Sequence, residues 1–428
     1  MSSAAIGFSC IGLMLLLMAV RIPIALAMAA AGFIGFTLIV AFDPALAIIE
    51  NGPFEVLTNY NFTPIPMFIL MGVLASKSKM SDQLFQGART LFGSWPAGIS
   101  LASLLSCGIF SAISGSSVAT AASMSRVALP EMRKHGYASS LATGTLAAGG
   151  TLGIIIPPSI ALLLYALITE QSVGDMFMAG LIPGVMGLVL YALTVVILVK
   201  LKPGLARKGE PTTLKEKFIG LGGLLPFTGV FVIIIGGIYL GFFTPTEGAA
   251  VGAFCTLIFA VKRGMRLEGF FAALKETLIT SSMIFFMIMG AEIFGFFLSV
   301  SRISFELVDF VNSMNLPPYL VLLSVLLLFM LLGCVMDSIA MLLLTVPVVF
   351  PLIQAAGFDP VWFGVVAVIT VELGMITPPV GMNVFVIKAF THDISIATIF
   401  RGVFPFVLSD LVRLALIIAF PVLTLGLL

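Results

Sequence analysis

The sequence predicts an all-α integral membrane protein: about ten transmembrane helices plus two oppositely oriented re-entrant hairpins, arranged as an inverted repeat. Three observations predict it. Hydrophobic residues make up 60% of the chain and charged ones 10%, apolar runs long enough to span a bilayer recur from end to end, and two Pro-Pro segments of matching pattern stand in the two halves. A chain of 428 residues with that composition carries far more apolar surface than a soluble globule can bury. The runs are too long and too evenly apolar for membrane strands, in which polar and apolar residues alternate, so the spans are helices in a lipid bilayer.

The first run, Ile6 to Val20, is closed by Arg21 and followed at once by a second, Ile22 to Phe42, so it reads as a retained anchor and not as a cleaved signal. A third span covers Phe62 to Ser76. Lys and Arg cluster at Lys77/Lys79, Arg126 to Gly136, Lys200 to Lys217, Lys262 to Arg266 and Lys388/Arg401, which places those turns in the cytoplasm. The turns around Glu50, Asp175 and Pro360 are acidic or neutral and face the other side, as do both termini. With Lys79 and Arg133 both cytoplasmic, the apolar stretch Trp95 to Leu129 must enter and return on one side. Its tip is "SAISGSSVAT", Ser111 to Thr120, a composition that suits a turn and not lipid.

The second half replays this order: a long span (Phe270 to Val300), an amphipathic piece (Ser301 to Leu316), a turn "GCVMDSIA" (Gly333 to Ala340), a Pro-Pro helix and a closing span. This hairpin opens to the outside. The expected division is 1–61 as N-terminal scaffold helices, 62–200 as the first repeat, 201–269 as linking scaffold helices and 270–428 as the second repeat. The amphipathic pieces Ser81 to Leu91 and Ser301 to Val311 read as interfacial arms joining moving and fixed parts.

In hydrocarbon an unpaired backbone polar group costs several kcal/mol, so irregular chain at membrane depth persists only where protein, water or an ion satisfies it. Pro157 and Pro158 lack N–H groups and release the carbonyls of Gly153 and Ile154; Pro378 and Pro379 release those of Gly374 and Met375. Carbonyls and hydroxyls together are hard ligands for a small hard cation. Ser114, Ser116, Ser117 and Thr120 with Thr151 and Ser159 form one expected cluster, and Asp337 and Ser338 with Thr377 and Asn383 the other. Helix N-termini at such breaks favour an anion. A single proline kink reads as packing; two, each preceded by a Ser/Gly-rich tip and related by inversion, read as function.

The acidic residues Glu292, Asp337, Glu372 and Asp410 lie in apolar runs and are candidate pathway groups. Asp410 and Arg413, three apart, read as a structural ion pair, and Glu247 in "FFTPTEGAAVG" as a helix cap. Cys10, Cys107, Cys255 and Cys334 show no CxxC spacing, His135 and His392 sit in charged turns, no Walker A pattern occurs, and a net charge of +1 gives no case for nucleic acid. An intramembrane hydrolase would need a histidine or a paired aspartate within the bilayer, and neither is in place.

Together, "SGSSVATAAS", "GTLGIIIPPS", "FFTPTEGAAVG" and "GMITPPVGMNVFV" make the chain resemble, over essentially its whole length, the large membrane subunit of tripartite ATP-independent periplasmic (TRAP) transporters. The resemblance implies an elevator-type, non-enzymatic symporter in a bacterial inner membrane, with periplasmic termini, that takes up organic acids on a sodium gradient. It implies two partners, a periplasmic substrate-binding protein and a small membrane subunit; no such helices precede Met1, which predicts a separately encoded small subunit. Carried over by motif, sodium falls at Ser114, Gly115, Ser116, Gly150, Gly153 and Pro157, and at Gly333, Asp337, Gly374, Thr377 and Pro378. Substrate falls between the tips, at Ser114, Ser116, Ser117, Thr120, Pro158, Ser338, Thr377 and Asn383. Sialic acid is the favoured substrate, with four-carbon dicarboxylates and other sugar or keto acids as alternatives, and no arginine is expected near the tips. The rival within transport is a proton-coupled organic anion carrier using Glu292 or Glu372 as relay.

Overall fold

The structure, a computed structural model, describes residues 3–78, 80–207 and 212–428. Lys79 and part of the basic linker, Lys208 to Pro211, lie outside the described residues. All described elements are helical. The chain opens with α1 (Ser3–Ala19), α2 (Ile24–Ile39) and α3 (Phe42–Thr58). The acidic segment around Glu50, expected as a turn, is therefore a helix: α3 starts with Asp43 in its first turn and its largely exposed face lies outside the helix pack.

The first repeat follows as α4 (Pro64–Lys77), α5 (Met80–Phe92), α6 (Gly98–Ser114), α7 (Ser117–Lys134), α8 (Ser139–Ile155), α9 (Ile160–Ile168) and α10 (Val173–Leu201). Two linking helices, α11 (Leu214–Tyr239) and α12 (Pro245–Lys262), precede the second repeat. That repeat is α13 (Leu267–Ser301), α14 (Ile303–Ser313), α15 (Pro318–Gly333), α16 (Ser338–Ala355), α17 (Pro360–Ile376), α18 (Met382–Ala389) and α19 (Ile396–Ala419), with the short α20 (Val422–Leu425) at the end. Each repeat thus reads span, arm, two-helix hairpin, broken helix, span.

By length and composition six helices among the described residues can cross a membrane: α8 taken with α9, α10, α11, α13, α16 and α19. Helices α6, α15 and α17 are apolar but shorter, at 16 or 17 residues, because each stops at a turn or break. Burial separates the layers. Every residue from Leu141 to Ile155 of α8 and from Val361 to Ile376 of α17 is buried, so these two broken helices form the axis of the core. The spans around them leave large apolar side chains such as Val189, Phe271 and Leu278 exposed, as lipid-facing positions require.

The two ends differ in charge. At one end Lys77 pairs with Glu276 at 2.7 Å, Arg89 with Glu131 at 2.6 Å and Arg133 with Asp393 at 2.9 Å. The Arg133 hydrogen bond holds the exposed Asp393 carboxyl below the usual carboxylate range. Arg89 lies on arm α5 and Glu131 on hairpin helix α7, so that pair ties arm to hairpin, while Gly87 lets α5 rest on α11, where a Cβ would stand 2.5 Å from the Gly220 carbonyl oxygen. Glu247 closes a capping box with Thr244 at the start of α12, as its sequence context implies.

Candidate functional site

Helix α6 stops at Ser114 because Gly115 turns left-handed, with φ 57°. The turn is tighter than the Ser111 to Thr120 tip anticipated, since Ser111 to Ser114 and Ser117 to Thr120 stay helical. Ser116 caps α7, accepting the Ala119 N–H at 3.3 Å, and the Ser114 and Thr120 hydroxyls pair at 2.7 Å. Opposite the tip, α8 ends at Ile155 and the chain runs through Pro157 and Pro158, joined by a cis peptide bond, before α9 begins. Tip and break are in backbone contact: a Cβ on Gly153 would lie 2.6 Å from the Ser116 carbonyl oxygen, and one on Gly115 3.3 Å from that of Pro158.

Among the described residues neither carbonyl expected to be free at this break has a helical N–H donor, but that of Ile154 finds a side-chain one. The Ser159 hydroxyl donates to the Ile154 carbonyl, and Ser159 also caps α9 by accepting the Leu162 N–H at 3.2 Å. Thr151 faces away from the tip as well. Its hydroxyl meets the Ala148 carbonyl at 2.7 Å and the Tyr191 hydroxyl at 2.9 Å. Tyr191 in turn donates to Asp410, whose other oxygen pairs with Arg413 at 2.7 Å; Asp410 and Arg413 are fully buried, in accord with the structural ion pair expected from their spacing.

The second break has the same plan with different bonds. The Gly381 N–H donates to the Cys334 carbonyl at 3.0 Å and the Cys334 thiol approaches the Pro378 carbonyl at 3.4 Å, so the tip between α15 and α16 is stitched to the break. Gly374 permits the approach: a Cβ there would stand 2.8 Å from both the Met330 oxygen and the Gly333 carbonyl carbon. One expectation changes. The Gly374 carbonyl accepts the Thr377 N–H at 3.0 Å and is not free, and the Thr377 hydroxyl donates back to Leu373 at 2.6 Å. Asp337, half-buried, caps α16 by accepting the Ile339 N–H at 3.2 Å.

The two clusters meet in the core. Ser117, from the first hairpin, donates to Glu372 Oε2 at 2.8 Å and accepts from Asn383 Nδ2 at 2.7 Å, and both partners belong to the second broken helix. Glu372 and Asn383 are fully buried, and among the described residues Glu372 Oε1 and Asn383 Oδ1 have no hydrogen-bond partner. Gly150 packs beside them, where a Cβ would lie 3.2 Å from Asn383 Nδ2. Sequence spacing assigned Ser117 and Asn383 to opposite tips; the fold joins them through Glu372.

A cavity of about 400 Å³ reaches both tips, lined by Ser114, Ser116, Ser117, Asp337 and Ser338. It extends to the basic end at Ser123, Arg126 and Glu276. Arg126 is thus an arginine in the cavity, at its basic end and ten residues along α7 from Ser116, away from the tips where none was expected. Counting it among the charged cytoplasmic turn hid it, although the spacing Ser116, Ala119, Ser123, Arg126 marks one helical face. A second cavity, about 720 Å³, opens at the other end between Glu55, Asn59, Glu170 and Glu292 and includes none of the tip residues.

Against known proteins, the model of the tripartite ATP-independent periplasmic transporter DctM component matches residues 11–423. The chain is 36% identical to the C4-dicarboxylate TRAP transporter large permease of Pseudomonas aeruginosa, covering 87% of each, and 34% identical to the sialic acid TRAP transporter large permease of Vibrio cholerae, covering 86% of each. It is 31% identical to the ectoine TRAP transporter large permease of Halomonas elongata over 83% of each chain. Among solved structures, the Alcanivorax borkumensis YdaH transporter shares the fold, with a TM-score of 0.59 at 15% identity over 88% of this chain and 90% of that one. Paired breaks, opposed hairpins and a match over nearly the whole chain agree: the protein belongs to the DctM family, the large membrane subunits of the TRAP transporters.

Proposed function

We propose that the chain carries an organic acid anion across a bacterial inner membrane by sodium-coupled symport, the anion being delivered by a periplasmic binding protein and the chain working with a small membrane subunit. One observation carries this reading: each hairpin tip presses on an interrupted helix, and the cavity between them collects serine hydroxyls and the N-termini of α7, α9 and α16. Aligned peptide dipoles make those N-termini attractive to an anion. Main-chain carbonyls without helical donors, at Gly153 above all, suit a small hard cation. Sodium bound there as coupling ion would draw on the oxygens of Ser114 to Ser116 with Gly150, Gly153 and Pro157, and of Gly333 and Asp337 with Gly374, Thr377 and Pro378.

The basic end is cytoplasmic in this reading, by the bias of Lys and Arg toward that side, and both termini are periplasmic. The substrate is a carboxylate of four-carbon dicarboxylate or sialic acid size, since relatives of nearly equal identity are named for each. The hairpins and broken helices move as a block against α1–α4 and α11–α13, with α5 and α14 as arms.

The test is uptake into proteoliposomes holding the chain, its small subunit and its binding protein, under separate sodium and proton gradients. Uptake follows the sodium gradient; accumulation sustained by protons without sodium refutes the coupling. Ser116→Ala and Thr377→Ala each raise the sodium concentration for half-maximal uptake several-fold, by about 1 kcal/mol per lost hydrogen bond. Unchanged sodium dependence in both places the sites elsewhere.

A further inference from the structure

Arg126 lies on α7 about 15 Å along the helix axis from the tip residue Ser116, by the rise of an α-helix. Ser116, Ala119, Ser123 and Arg126 follow the three-and-four spacing of one helical face, and all four line the cavity that reaches the tips. The face thus forms a track from the tips to the basic mouth, polar at Ser116, Ser123 and Arg126 with Ala119 between, and steadied midway by the Ser123–Ser76 hydroxyl contact at 3.1 Å.

The track ends in an uncommitted cation. Among the described residues Arg126 has no ion pair or hydrogen bond; its guanidinium carbon lies 6.0 Å from the Phe390 ring centroid, a weak attraction that leaves the N–H edge open. The carboxylates that line the same cavity are otherwise engaged: Glu276 pairs with Lys77 at 2.7 Å, and Asp337 caps α16. A guanidinium presents a planar fork of donors matched to a carboxylate; Arg126 is exposed, as Arg133 and Lys134 are, but of the three it is the one that lines the cavity.

We propose that Arg126 is a carboxylate subsite on the release path: it takes the anion's carboxylate as it leaves the tips and holds it at the basic mouth. This rests on the transport reading above and adds a site to it. A subsite at one mouth binds substrate approaching or leaving on that side and contributes little at the other, an asymmetry that a purely structural or topology-setting arginine would not produce.

The experiment uses the reconstituted three-component system with succinate and N-acetylneuraminate as probes. Outer affinity is read from uptake through the binding protein, inner affinity from the lumenal concentration that half-inhibits uptake. Arg126→Gln weakens inner affinity about tenfold, the size of one lost charge-assisted hydrogen bond, and leaves outer affinity within about twofold. Should Arg126→Gln fail to insert, Arg126→Lys, which keeps the charge but not the fork, loses about threefold on the inner side alone. Inner affinity unchanged in the variant measured, or equal losses on both sides, overturns the subsite. Wild-type protein inert toward both probes defeats the transport reading and the subsite with it; active wild type with an unaltered variant defeats the subsite alone.

Discussion

Ser117 is a small side chain on which two halves of the protein depend. Its hydroxyl donates to Glu372 and accepts from Asn383, so a single oxygen organises a carboxyl group and an amide that are both shut off from solvent. Removing one partner of a buried hydrogen bond costs the desolvation of what remains, about 1–3 kcal/mol for each group stranded. Ser117→Ala strands Glu372 Oε2 and leaves Asn383 Nδ2 with only its 3.4 Å bond to the Ala147 carbonyl. The expected outcome is a markedly lower thermal midpoint of the purified protein, with Ser117→Thr recovering much of the loss where its methyl group fits. A midpoint unchanged in Ser117→Ala would mean that the knot adds nothing to stability. Glu372→Gln, which can still accept from Ser117, is expected to be milder than Ser117→Ala, because among the described residues the acid's second oxygen has no partner to lose.

Among elements, the first broken helix is the sharpest case of sequence deciding geometry. Pro157 and Pro158 stop α8, Ser159 restarts the chain as α9, and Gly153 admits the hairpin tip. A methyl group at Gly153 would meet a backbone oxygen at 2.6 Å, and backbone cannot rotate away as a side-chain end would. Gly153→Ala therefore displaces the tip from the break, with at least a tenfold rise in the sodium concentration for half-maximal uptake as the expected reading, by order-of-magnitude analogy with losing one first-rank contact. Gly222→Ala on α11, where nothing lies within 4 Å of the added carbon, is the control and changes nothing. Equal behaviour of the two variants would show the close approach to be unimportant. The breaks, the opposed hairpins and the arms were legible because proline, small-residue tips and amphipathic spacing act locally. What the sequence did not disclose depends on long-range geometry. Spacing cannot tell that Thr151 turns toward Tyr191, that Ser117 meets Glu372 across the two repeats, or that Arg126 lines the cavity. Likewise α3 passed for a turn because its acids and glycine break the apolar pattern, though a surface helix tolerates both.

For the whole molecule, the unequal cavities give the fold a direction. The basic-end cavity touches both tips, while the opposite cavity touches neither and is lined by Glu55, Glu170 and Glu292. If Lys and Arg mark the cytoplasmic side, this arrangement offers its site inward, and an inverted repeat supplies the second arrangement by exchanging the roles of its two halves. Side-specific labelling tests the orientation and the opening together. Ser123→Cys, on the cavity wall, should react with a charged, membrane-impermeant thiol reagent in inside-out vesicles, and Glu170→Cys, on the exposed turn after α9, in intact cells. The native cysteines interfere little, being buried or half-buried. The reverse pattern would invert the topology. Ser123→Cys reacting from neither side would instead close the inward cavity and place the resting protein in another state. Sodium and substrate added together should slow the Ser123→Cys reaction, because on the release path proposed above the anion occupies the track that Ser123 lines.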